Sequence, residues 1–100
     1  MKVYTEANHF SADQKLINVI ERKLGKLDTF FDRIIEARVN LKLENSGQVK
    51  DKIVEVRLSV PGDVLVAKDT EPTFEAAIDK ASDALKRQLI KYKEKLRETK

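Results

Sequence analysis

Two runs of strict alternation constrain this chain more than any other feature. A-R-V-N-L-K-L-E at 37–44 sets Ala37, Val39, Leu41 and Leu43 against polar neighbours, and V-E-V-R-L-S-V at 54–60 does the same with Val54, Val56, Leu58 and Val60. Successive side chains of a strand point to opposite faces, so each run predicts a sheet with one apolar and one wet side. N-S-G-Q at 45–48 is turn chemistry between them, and Pro61-Gly62-Asp63 reverses the chain into a further strand, V-L-V-A at 64–67. One apolar face of that meander needs cover.

Two segments can supply it. Ser11-Ala12-Asp13-Gln14 reads as a capping box, with the Ser11 hydroxyl accepting from an amide three residues on and Gln14 reaching back. A helix should follow to about residue 26, with Leu16, Ile17, Ile20, Leu24 and Leu27 on one side and Gly25 marking its last turn. Pro72 suits the first turn of a second helix, and nothing interrupts that helix before about Arg97. Its Phe74, Ile78, Ala81, Leu85, Leu89, Tyr92 and Leu96 fall within a stripe about 80° wide. Such a helix would be about 39 Å long against about 26 Å for an eight-residue strand, so its last turns should overhang the sheet. With K-V-Y-T-E-A at 2–7 as a first strand, the order is β-α-β-β-β-α. The fold expected is α+β: a four-stranded mixed sheet, strands 1 and 2 parallel through a right-handed crossover, and both helices on one face. A length of 100 residues makes residues 1–100 a single domain.

Charge is distributed unevenly along that fold. Residues 1–79 carry 12 basic and 14 acidic side chains, whereas residues 80–100 carry 8 and 3. The excess cations thus sit on the second helix, a footprint that suits a polyanion. On the helical wheel Lys80, Arg87 and Lys91 lie within about 40° of one another, and Lys15, Arg22 and Lys26 align similarly on the first helix. If the helices lie side by side, the two rows could border one groove. A plainer explanation stands beside this one: cations near a helix C-terminus meet the negative end of its dipole and need no partner. One or two would suffice for that, and A-L-K-R-Q-L-I-K-Y-K-E-K-L-R-E-T-K at 84–100 holds seven.

Other chemistries find little support. His9 is the single histidine, in a predicted loop, and with zero cysteines no metal site is expected. There is no Gly-rich phosphate loop followed by a helix and no nucleophile–base pair to name, so neither a cofactor nor an enzyme activity is expected. Tyr4 and Tyr92 could stack on bases, but Tyr92 falls in the apolar stripe, and Phe30 and Phe31 read as core and lid at a corner. No run approaches a membrane span, M-K-V-Y-T-E-A-N-H-F has no signal-peptide core, and the expected compartment is the cytoplasm.

K-L-G-K-L-D-T-F-F-D-R-I at 23–34, E-V-R-L-S-V-P-G-D-V-L-V-A-K-D at 55–69 and above all A-A-I-D-K-A-S-D-A-L-K-R-Q-L-I-K-Y-K-E-K-L at 76–96 resemble the ribosome hibernation-promoting factor family. That family includes the ribosome-associated inhibitors, historically called sigma-factor modulation proteins. The resemblance covers essentially the whole chain in the same element order. It implies a fold like a double-stranded-RNA-binding domain, and binding to the small ribosomal subunit and its rRNA in the mRNA/tRNA channel. Such binding inhibits translation in stationary phase or stress. Carried over by position, it implies RNA contacts from Lys23 and Lys26 on the first helix and from Lys80, Lys86, Arg87, Lys91, Lys93 and Lys95 on the second. Long-form members add a dimerising domain and inhibitor-type members a C-terminal tail. The short form is the better match, with the isolated protein expected to be monomeric and to have neither a membrane nor a small-molecule partner. A generic double-stranded-RNA-binding module and a sigma-factor-modulating interaction domain remain the alternatives.

Overall fold

The computed structural model describes residues 1–46 and 49–98. Its elements are β1 (Lys2–Ala7), α1 (Gln14–Gly25) with a 3-10 turn at Lys26–Thr29, β2 (Glu36–Ser46), β3 (Val49–Val60), β4 (Asp63–Glu71) and α2 (Phe74–Glu98). The strands lie in sequence order. β1 is parallel to β2, with Val3 opposite Ala37, and the other pairs are antiparallel, with Val56 opposite both Val39 and Ala67. This is the expected α+β architecture. The proposed turn at 45–48 falls partly on residues 47 and 48, outside the described residues.

One core lies between sheet and helices. Val39 and Leu41 of β2, and Val54, Val56 and Leu58 of β3, meet Ile20 and Leu24 of α1 and Ile78, Leu85 and Leu89 of α2. α1 and α2 run in the same direction. Phe10 just before α1 stacks on Phe74 at 5.4 Å, Ser82 touches the Lys23 carbonyl, and Phe31 meets Tyr92 edge-on at 5.4 Å. The two helices therefore start at the same end of the domain, and α1 ends beside the middle of α2.

Several local expectations shift. The cap of α1 is Asp13, not Ser11: its Oδ1 accepts from the Leu16 amide at 2.8 Å, while Gln14 turns to Asn18 at 2.9 Å. Aspartate caps as well as serine, and at this position its carboxylate meets the first free amides of the helix that forms. α2 begins beyond Pro72. Thr73 is its cap, with Oγ1 accepting from Ala76 and the carbonyl accepting from Ala77, both at 3.1 Å. Proline favours an extended residue before it, so β4 can run to Glu71 directly beside it. β2 and β3 are 11 and 12 residues long, well beyond the alternating cores seen in sequence. Leu43, expected inward, is 48% exposed, and it lies two residues beyond the last β1–β2 pair, Ala7 opposite Leu41.

The overhang of α2 is present. The Tyr92 hydroxyl donates to the Pro61 carbonyl at 2.5 Å, tying the helix to the β3–β4 turn, where Gly62 takes φ +80°. Residues after Tyr92 extend past that turn. Leu96 continues the apolar stripe in sequence, yet it is 39% exposed because no sheet lies beneath it.

Candidate nucleic-acid interface

The two flanks of α2 have different neighbours, and these decide what each cation can reach. On the α1 side, Asp79 forms an ion pair with Lys23, the Ser82 hydroxyl donates to the Lys23 carbonyl at 3.4 Å, and Lys86 Nζ stands 4.7 Å over the Phe30 ring. On the other side, Lys80 meets Glu71 of β4 at 3.0 Å, and Gln88 donates to the Val66 carbonyl at 2.8 Å. Lys91 and Lys95 border a shallow cleft there with Asp63 and Leu65.

Lys80 and Lys91 therefore lie on the β4 flank and do not border a groove with α1, contrary to the wheel-based expectation. Arg87 is exposed on the solvent side of α2, and Lys86 and Lys93 stand beside the 3-10 turn and the residues after it. A helical wheel fixes the angle between residues but not which flank meets which neighbour. Lys15 and Arg22 are exposed on α1, and Lys26 is exposed at the start of the 3-10 turn.

The eight residues singled out by resemblance are thus not equivalent. Lys23 is half-buried and Lys80 exposed, and each is held by a carboxylate. The Lys80 ammonium is held above the usual lysine range by its hydrogen bond to Glu71, then by the charges of Glu71 and Asp69. Lys26, Arg87 and Lys91 are exposed and make no ion pair among the described residues. Lys86 is exposed beside an aromatic ring, and Lys93 lines a cavity at the overhanging end together with Arg33 and Arg97. Arg33 was not anticipated; a cation directly after the Phe30-Phe31-Asp32 run was its only signal.

The far face of the sheet is organised differently. Arg38 pairs with Glu36 at 2.5 Å and covers the Tyr4 ring at 4.9 Å, and Arg57 lies 3.8 Å from Glu55. Tyr4 thus lies on the face away from the helices. His9 is an exposed loop residue at φ +64°. Among the described residues no group of three His, Cys, Asp or Glu could hold a metal, and no helix is long and apolar enough to cross a membrane.

A sheet backing two parallel helices, whose outward surface carries cations without carboxylate partners among the described residues, defines a basic-faced α+β domain. Residues 3–97 match the family described as Sigma 54 modulation protein / S30EA ribosomal protein, and the chain belongs to that family. It is 37% identical over 95 residues to a ribosome hibernation promotion factor of Deinococcus radiodurans, an alignment covering 93% of this chain and 50% of that protein. It is 36% identical over 95 residues to a ribosome hibernation promoting factor of Pseudomonas putida, covering 95% and 89%. The chain therefore spans half of the first relative and most of the second. A ribosomal subunit interface protein from Coxiella burnetii has the same fold, with a TM-score of 0.83 over 93% of this chain and 98% of that one, at 22% identity.

Proposed function

We propose that this protein is a cytoplasmic ribosome hibernation factor. It binds the small ribosomal subunit in the mRNA/tRNA channel and so inhibits translation in stationary phase or stress. The observation that carries this is the exposed charge of Arg87 and Lys91 on α2, without an ion pair among the described residues, on the opposite side of the molecule from a sheet face whose arginines are paired with glutamates. Cations in that state release counterions when they meet phosphates, which gives strong, salt-sensitive binding. Arg87 adds a planar donor fork that can hold one phosphate through two bonds. The names of the relatives from Deinococcus and Pseudomonas support the ribosome as the source of those phosphates.

Lys26, Arg87 and Lys91 act as primary backbone contacts, joined by Lys86, Lys93 and Lys95, while Lys23 and Lys80 engage only by exchanging Asp79 and Glu71 for phosphate. No chemical step is involved: occupancy itself excludes mRNA and tRNA. The test is co-sedimentation with small subunits through sucrose. Arg87→Glu combined with Lys91→Glu is expected to leave the ribosomal fraction, with its circular dichroism unchanged; retained binding would reject the site. Competition with free RNA duplex separates a channel-filling factor from a generic duplex binder, because only the latter is displaced efficiently.

A further inference from the structure

The overhanging end of α2 borders an open cavity of about 530 Å³ against the 3-10 turn and the residues after it. Its apolar surface comes from Phe30, Phe31 and Leu96, and its cations are Arg33, Lys93 and Arg97. Arg33 stands with its guanidinium 5.1 Å over the Phe31 ring, and Phe31 is braced edge-on by Tyr92, whose hydroxyl is fixed to Pro61. Leu96 is exposed although it belongs to the apolar stripe, so the opposite wall is a greasy surface open to solvent. Asp28 also lines the cavity, but its carboxylate is engaged by the N-terminal ammonium at 3.2 Å. Asp32 and Thr29 remain as acceptors at the rim; the Thr29 hydroxyl spends its proton on the Lys26 carbonyl at 2.7 Å.

From this geometry we propose that the cavity seats a single unstacked nucleotide bearing an exocyclic amine. The base lies against Leu96 and the Arg33 guanidinium, which already stands over Phe31. Its amino group donates to Asp32 or Thr29, and its phosphate meets Lys93 and Arg97. The volume suits a small flat ligand. Planar guanidinium groups and apolar side chains are what splayed-out RNA bases stack on. An apolar wall beside a cationic rim matches a nucleotide's own division into base and phosphate. The seat deepens the RNA-binding reading and rests on it for its biological ligand, since it makes one base of the bound RNA a specific contact among backbone contacts.

The test uses the full chain and amide chemical shifts, titrated separately with adenosine 5′-monophosphate, uridine 5′-monophosphate and ribose 5-phosphate. Adenosine monophosphate is expected to move residues 29–33 and 93–97 together, uridine monophosphate to bind more weakly, and ribose phosphate to move only 93–97. Leu96→Gln, at an exposed position that leaves the core intact, should weaken adenosine monophosphate on the order of tenfold and leave ribose phosphate unchanged. Equal responses to adenosine monophosphate and ribose phosphate, equal responses to the two nucleotides, or an unaffected Leu96→Gln variant would overturn the seat. If the seat fails while ribosomes still carry the protein down in salt-sensitive fashion, only this inference falls. If the wild-type protein does not sediment with ribosomes, the functional proposal itself falls, whatever the nucleotides do.

Discussion

At Asp79 and Glu71 two cations expected to meet RNA are already answered by protein carboxylates. Sequence could not reveal this, because the pairs join residues that only the packing of α1 on α2, and of α2 beside β4, brings together. An exposed ion pair is worth at most about 1 kcal/mol, so RNA phosphates can compete with it. Asp79→Asn should therefore tighten ribosome binding by up to about fivefold and change thermal stability by less than about 0.5 kcal/mol, measured by salt-matched titration and thermal denaturation. Weakened binding would mean that Asp79 orients Lys23 for RNA instead of restraining it. At the other pair, Lys80 is held above its ordinary pKa in the folded state, first by the hydrogen bond to Glu71. Stability from that pair is fully present below the unfolded lysine value of 10.5 and disappears as pH rises through the raised folded value. Glu71→Gln should thus lower the melting temperature equally at all pH values between neutrality and the ordinary lysine range. The gap should close only above that range.

Among the elements, the strands were the most legible, because alternation is a direct image of a sheet with one covered face. Val54, Val56, Leu58 and Val60 are all buried, as their spacing required. Caps were the least legible. Ser11 and Asp13 are both competent acceptors two residues apart, and letters alone do not say where the first free amides will fall. Asp13→Ala and Thr73→Ala should each cost about 1 kcal/mol in chemical denaturation, whereas Ser11→Ala should cost less than about 0.5 kcal/mol. A larger loss at Ser11 would return the cap to the place its sequence suggested. Within α2, Leu85 and Leu96 occupy the same stripe but differ in fate, one fully buried and the other exposed past the sheet. Leu85→Ala should destabilise by about 2–5 kcal/mol; Leu96→Ala should fall below about 1 kcal/mol.

Across the whole molecule, charge is sorted by face. The open side of the sheet pairs its arginines with neighbouring glutamates, even though Arg38 and Arg57 stand directly opposite each other. The helical side carries cations along α2 and past the end of the sheet. Lys95 and Arg97 lie in the last turn of α2 and meet its negative dipole end, so part of this positive charge is structural compensation. The remainder is available to a polyanion. The excess charge of the last fifth of the chain was legible from counting. Its split into a β4-side row and an α1-side group was not, because that depends on which flank of α2 the sheet and α1 occupy.

The most direct measurement is the affinity of the protein for small ribosomal subunits as a function of salt concentration, for wild type and for Arg87→Ala combined with Lys91→Ala. The wild-type plot of log affinity against log salt should be steep and linear, and the double variant should lose roughly 0.7–0.9 of slope for each phosphate contact removed. A flat wild-type plot, or a variant with the same slope as wild type, would contradict the assignment of binding to the outward cations of α2.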